Sequence, residues 1–191
     1  MKKFLAEFLG TYAMVFAGTV AIVMNNEFHG AITHVGIAIT FGLIVMSMIY
    51  AFGDISGAHL NPAVSIAFTI AGRFPAKQLA PYIFSQLAGA LAASLTLRFM
   101  FPGDQFLGAT MPAGSEMQSL VMEFILTFFL MLVIFNVATG SKEKGLFAGI
   151  AIGSIVALEA MFAGPVCGAS MNPARSFSPA IVSGHMEHLW L

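Results

Sequence analysis

The sequence predicts an all-α integral membrane protein whose two halves repeat in opposite orientation. Three observations carry that prediction. Of 191 residues, 58% are hydrophobic and only 9% charged, whereas a soluble domain needs about a quarter charged residues to face water. Five segments approach or exceed the roughly 20 apolar residues that a helix needs to cross a hydrocarbon core. A polar, proline-bearing nonamer also occurs twice, as GAHLNPAVS at 57–65 and GASMNPARS at 168–176.

The expected spans are 4–24, 35–53, 79–100, 118–138 and 146–164. They contain three acids, Glu7, Glu123 and Glu159, and one base, Arg98, near an end. The first span follows Lys2 and Lys3 and so has the look of a signal peptide. Its apolar run is too long for one, and Glu7 interrupts it early, so it is read as a span. Lys2, Lys3, Arg73, Lys77, Lys142 and Lys144 fall on one side when the spans alternate, and the first connection has no Lys or Arg. That side, with the N-terminus, is cytoplasmic. Gly145, Gly149 and Gly153 recur every four residues, and AGALAA at 88–93 is similarly small; both are expected to let helices approach closely in lipid. The net charge of −1 and the lack of a basic cluster give no sign of nucleic-acid binding. The single cysteine, Cys167, excludes an intrachain disulfide and reads as a passive small residue near the outer mouth. No metal or cofactor site is expected.

Two further apolar stretches, 62–72 and 173–184, are too short to span. At 1.5 Å per residue each reaches about halfway across the bilayer. Each begins with Asn-Pro, and Asn is a preferred N-cap while Pro suits the first helical position. Asn61 and Asn172 therefore cap two half-helices that enter from opposite faces and meet near the midplane. EFLGTYAMVFAGTVA from Glu7 echoes EFILTFFLMLVIFNVA from Glu123. The chain reads as one channel domain, 1–191, with a first repeat at 1–101 and a second at 117–191. Inverted repeats of this kind place their site at the midplane between the halves.

The two triplets Asn61-Pro62-Ala63 and Asn172-Pro173-Ala174, in register with the spans, resemble those of the aquaporin and glycerol-facilitator family, the major intrinsic proteins. The similarity covers essentially the whole chain. SGAHLNPAVSIAFTIAGRFP and AGPVCGASMNPARSFSPAIV look most like the nodulin-like branch of plants and its bacterial relatives. The resemblance implies a passive channel, not an enzyme, that passes water and small uncharged solutes through each subunit of a homotetramer. Its partners would be those solutes and the lipid bilayer. It implies that Asn61 and Asn172 donate hydrogen bonds into the pore. Exclusion of protons and cations by converging half-helix dipoles and an arginine is the established account of such pores and is taken over here as such.

By position, the resemblance assigns the selectivity filter to Phe41, Ala160, Ala169 and Arg175. An arginine is expensive in lipid, which independently directs Arg175 toward a wet lumen. Strict water channels of the family usually carry histidine where this chain has Ala160. Two alanines imply a wider, less polar filter that admits glycerol, urea or metalloid acids. Against a typical glycerol facilitator, Phe41 replaces a tryptophan and Ser176 an aspartate, so the filter is intermediate. Glu7 and Glu123 are implied to brace the re-entrant loops, with His59 steadying the inner one. Glu159, beside Ala160, is expected at a subunit contact or a wet vestibule.

Family members have six spanning helices. This sequence stops at HMEHLWL, where the sixth is expected, so it reads as a fragment of a longer protein or a shortened member, and the function belongs to the complete molecule. The short basic start reads as a bacterial inner membrane protein. The alternatives are a non-conducting structural or partner-binding member, an ion channel of similar architecture, and an intramembrane hydrolase. The last would use Ser170 or Ser56 as nucleophile and His59 or His185 as base.

Overall fold

A computed structural model describes residues 1–138 and 145–190. The elements are α1 (Lys2–Glu27), α2 (Thr33–Ser56), α3 (Pro62–Ile70), α4 (Ala76–Met100), α5 (Glu116–Ala138), α6 (Ala148–Cys167) and α7 (Pro173–Ser183). Among the described residues there is no strand. Five helices, α1, α2, α4, α5 and α6, are long and apolar enough to cross a membrane. Each lies within a few residues of its expected span. The stretches at 62–72 and 173–184 form half-helices of 9 and 11 residues. Lys142 and Lys144, used above for orientation, lie outside the described residues.

The distribution of side chains is that of a protein surrounded by lipid. Large apolar groups such as Phe84, Phe99, Phe124, Phe128 and Leu132 project outward, while Glu7, Thr11, Gln86, Glu159 and Arg175 are buried. Burying polar groups is tolerable only when partners inside the protein replace water, and several of these buried groups belong to the site described below.

The halves correspond in order: α1 to α5, α2 to α6, α3 to α7, with α4 closing the first half. α1 packs on α2 and α4, α5 on α6, and α4 also touches both half-helices. The most extensive contact joins α2 to α6. It depends on two glycines placed back to back. A Cβ on Gly42 would lie 2.5 Å from the Gly153 carbonyl oxygen, and one on Gly153 would lie 2.6 Å from that of Gly42. The expected small-residue ridge is thus used at Gly153, and Gly149 accommodates the Tyr50 ring. Gly145 does not belong to it: it precedes α6, and a Cβ there would meet open space.

Because the obstacle at position 153 is backbone, Gly153→Val should force α2 and α6 apart. The expected cost is about 1–3 kcal/mol, the usual penalty for overpacking. Thermal unfolding in detergent should show a clearly lowered midpoint for Gly153→Val and little change for Gly145→Ala. Equal midpoints for Gly153→Val and the parent chain would contradict the close approach.

Candidate functional site

The site is built by the two nonamers. In each, a glycine ends the preceding helix in the left-handed region, Gly57 at φ 87° and Gly168 at φ 83°. Two further residues then adopt positive φ although neither is glycine. Ala58 and Ala169 both have φ 44°, and Leu60 and Met171 have φ 52° and 51°. Such conformations cost about 1–3 kcal/mol each and persist only where surrounding contacts over-determine them.

Two of these residues, Leu60 and Met171, are held by acids on other helices, the buried Glu7 and the half-buried Glu123. The Glu7 carboxylate, on α1, accepts from the backbone N–H of His59 at 3.0 Å and of Leu60 at 2.8 Å. It also accepts from Ser56 Oγ at 2.6 Å and Gln86 Nε2 at 2.8 Å. Glu123, on α5, accepts from the backbone N–H of Ser170 at 2.8 Å and Met171 at 2.9 Å. The donor pairs, His59 with Leu60 and Ser170 with Met171, correspond residue for residue across the repeat. His59 adds a contact from Nδ1 to Ser65 Oγ at 3.0 Å and stacks on Phe68.

Asn61 and Asn172 each use both ends of the side-chain amide. Asn61 Oδ1 accepts from Ala63 N at 2.8 Å, and Asn172 Oδ1 from Ala174 N at 3.0 Å, which caps α3 and α7. Each Nδ2 crosses to the other loop: Asn61 donates to Met171 O at 2.7 Å, and Asn172 to Leu60 O at 2.9 Å. The half-helices are therefore joined N-terminus to N-terminus. An NH2 group has two hydrogens, so each amide keeps a second N–H beyond that bond; in Asn172, Nδ2 also lies 3.8 Å from Met14 Sδ, a weak acceptor. The amide supplies the cap acceptor and the crossing donor together.

Both asparagines line one cavity of about 560 Å3, and so do Phe41, Ala160, Ala169 and Arg175. Arg175 is 3% exposed. Its Nη1 donates to the Gly108 carbonyl at 2.8 Å, and its guanidinium carbon lies 5.1 Å from the centroid of the Phe41 ring. Its Nε has no hydrogen-bond partner among the described residues. An arginine held at one nitrogen, beside an open cavity, keeps donors free for whatever occupies that cavity.

The family model named "Major intrinsic protein" matches residues 1–191. The chain belongs to the major intrinsic protein family. It is 52% identical over 193 residues to a maize protein, "Aquaporin NIP1-1", covering 100% of this chain and 68% of that one. It is 50% identical to soybean "Nodulin-26", covering 100% of this chain and 71% of that one. The chain thus spans about two thirds of the length of these relatives. Among solved structures it resembles the aquaglyceroporin from Plasmodium falciparum, with TM-score 0.85 and 27% identity over 99% of this chain and 87% of that one.

Several parts of this major intrinsic protein's site escaped the sequence reading. Ser56, Ser65, Gln86 and Tyr82 surround Glu7 and His59, with Tyr82 donating to Ser56 O at 2.8 Å. Gln86 was findable as the one amide within the span 79–100. Gly108, the carbonyl that holds Arg175, lies in a connection with no motif. Glu159 needs correction: it is 1% exposed and lines neither surface nor cavity, and its carboxyl oxygens meet no hydrogen-bond partner among the described residues. It faces inward because it shares a helical face with the buried Val156 and Ala163. Cys167 is buried. The serines weighed as nucleophiles are otherwise engaged. Ser56 donates to Glu7 and Ser170 to Asn172 O, and neither hydrogen-bonds a histidine among the described residues.

Proposed function

We propose that this chain forms the pore of a passive transmembrane channel for water and small uncharged solutes, closed to ions and protons. One observation carries the reading: Asn61 and Asn172 cap opposed half-helices and border a single cavity with Arg175. Each half-helix N-terminus carries about half a positive charge. Two of them converging, with an amide N–H each, favour a water oxygen at the midplane and disfavour a cation. A water that accepts from both amides points its own hydrogens away along the pore, so a proton has no continuous relay through it. Arg175 adds a fixed positive charge and donors that replace hydration lost at a narrow point.

We assign the selectivity filter to Phe41, Ala160, Ala169 and Arg175, and loop bracing to Glu7, Glu123 and His59. The bonds of both acids to left-handed loop residues support the second assignment. Methyl groups at 160 and 169 favour passage of solutes larger than water, such as glycerol, urea or undissociated metalloid acids. The maize aquaporin and the malarial aquaglyceroporin that this chain resembles agree with that range. Assembly as a homotetramer and a cytoplasmic N-terminus complete the proposal. A bacterial membrane has no support from these relatives, which are plant and protozoan, and is not carried further.

The test is stopped-flow light scattering of proteoliposomes holding the full-length protein, with water, glycerol, urea and arsenite as probes. Permeability above empty vesicles for water and at least one solute is expected; values equal to empty vesicles would point to a non-conducting member. Within that assay, Ala160→His should lower glycerol passage by about tenfold or more, the scale on which a pocket discriminates added bulk, while water passage falls by much less. Equal losses would remove Ala160 from the filter.

A further inference from the structure

The Phe41 ring does not stand free in the cavity wall. One of its edges is seated on α1 at Gly18, a buried residue. A Cβ built on Gly18 would lie 2.1 Å from Phe41 Cε1, 2.2 Å from Cζ and 2.6 Å from Cδ1. No other glycine among the described residues has a side-chain neighbour so close. The ring therefore occupies the volume that any other residue at position 18 would fill. Positions 41 and 18 belong to different helices and are 23 residues apart in sequence, so no local pattern announces the pairing.

The next residue on α1 supports the opposite member of the filter. A Cβ on Gly108 would lie 3.1 Å from Thr19 Cβ, so the backbone of Gly108 rests against Thr19. The Gly108 carbonyl is what holds Arg175. Thr19 is itself fixed, its Oγ1 donating to Val15 O at 2.7 Å. The Gly18–Thr19 step thus underlies both Phe41 and the anchor of Arg175, although neither residue of that step lines the cavity.

We infer that Gly18 is a positioning residue that sets the width of the constriction, by giving the Phe41 ring a recess in α1 and so holding it back from Arg175 and the lumen. The inference rests on the assignment of Phe41 to the filter. With an alanine at 18, ordinary van der Waals separation of about 3.5–4 Å requires the ring to retreat by roughly 1–2 Å. α1 is packed behind it against α2 and α4, so the ring is displaced toward Arg175 and the cavity. The passage narrows without any change in the residues that border it. The recess, together with Ala160 and Ala169, makes room for solutes wider than water.

The experiment compares Gly18→Ala, Phe41→Ala and the double variant of the full-length protein in proteoliposomes, reading water and glycerol permeability in each, with size-exclusion profiles to follow folding. Gly18→Ala is expected to lower glycerol permeability about tenfold, the scale of one added methyl group in a fitted site, with water lowered by less than about threefold. Phe41→Ala is expected to raise the glycerol-to-water ratio. The double variant is expected to match Phe41→Ala, because without the ring there is nothing for the new methyl to displace. A purely structural glycine would lower both permeabilities together, and the second substitution would not restore their ratio. If Phe41→Ala alters selectivity but Gly18→Ala leaves the ratio unchanged, or if its loss persists in the double variant, the role of Gly18 is overturned and the filter stands. If Phe41→Ala leaves the ratio unchanged, the filter assignment itself fails, and the inference with it. Should Gly18→Ala not fold, a folded double variant with the ratio of Phe41→Ala sustains the proposal, and failure of both to fold overturns it.

Discussion

Arg175→Val is expected to open the channel to protons and small cations while leaving water flow largely intact. A unit charge about 4 Å from a passing cation, at an effective dielectric constant of about 20, contributes about 4 kcal/mol of repulsion. Removing it should raise ion leak by about 10²-fold or more after allowance for screening by water in the lumen. The substitution is mild for the fold, since it introduces the residue that the first repeat already carries at the matching place, Val64. Proteoliposomes loaded with a pH-sensitive dye give the measurement, with water permeability recorded on the same vesicles. Unchanged proton exclusion alongside normal water flow would show that the half-helix dipoles suffice and that Arg175 serves another purpose.

Glu7→Ala is the substitution expected to cost most stability. It strips the acceptor from two loop N–H groups and from Ser56 and Gln86 at once. Glu7 is 0% exposed, so water does not readily replace it. Each buried donor left unpaired costs about 1–3 kcal/mol, and the left-handed Leu60 loses the bond that holds its N–H. A total loss above about 3 kcal/mol is expected, enough to reduce the folded yield sharply. Glu7→Gln should fall between, because its amide keeps one acceptor oxygen but turns N–H toward other donors. Glu123→Ala should lose less than Glu7→Ala, having two backbone donors to release rather than four groups. Thermal unfolding in detergent ranks the three. Midpoints for Glu7→Ala within error of the parent would mean that the loop holds its shape without the acid.

The elements that were legible in advance share one property: their signals lie within a few residues of one another. Hydropathy marked five spans because a helix in hydrocarbon is apolar along its whole length. Asn-Pro marked the half-helix starts because a cap acts on N–H groups two or three positions ahead. The doubling of the nonamer placed both halves in register, and with the family resemblance it named Asn61, Asn172, Phe41, Ala160, Ala169 and Arg175, all of which line one cavity. Glu7 and Glu123 stood out as acids that lipid would not tolerate unpaired.

What folding alone decided involves partners far apart in the chain. Glu7 meets His59, Leu60 and Gln86; Arg175 meets Gly108; Phe41 seats on Gly18; Gly42 meets Gly153. The left-handed conformations of Ala58, Leu60, Ala169 and Met171 were equally illegible, since none of the four is glycine and the acids that hold Leu60 and Met171 lie on other helices. Periodicity and capping act through short stretches of backbone, so they are written in the order of residues. The shape of a passage depends on which helix faces lie against each other, and that is settled only when distant side chains exclude one another in three dimensions.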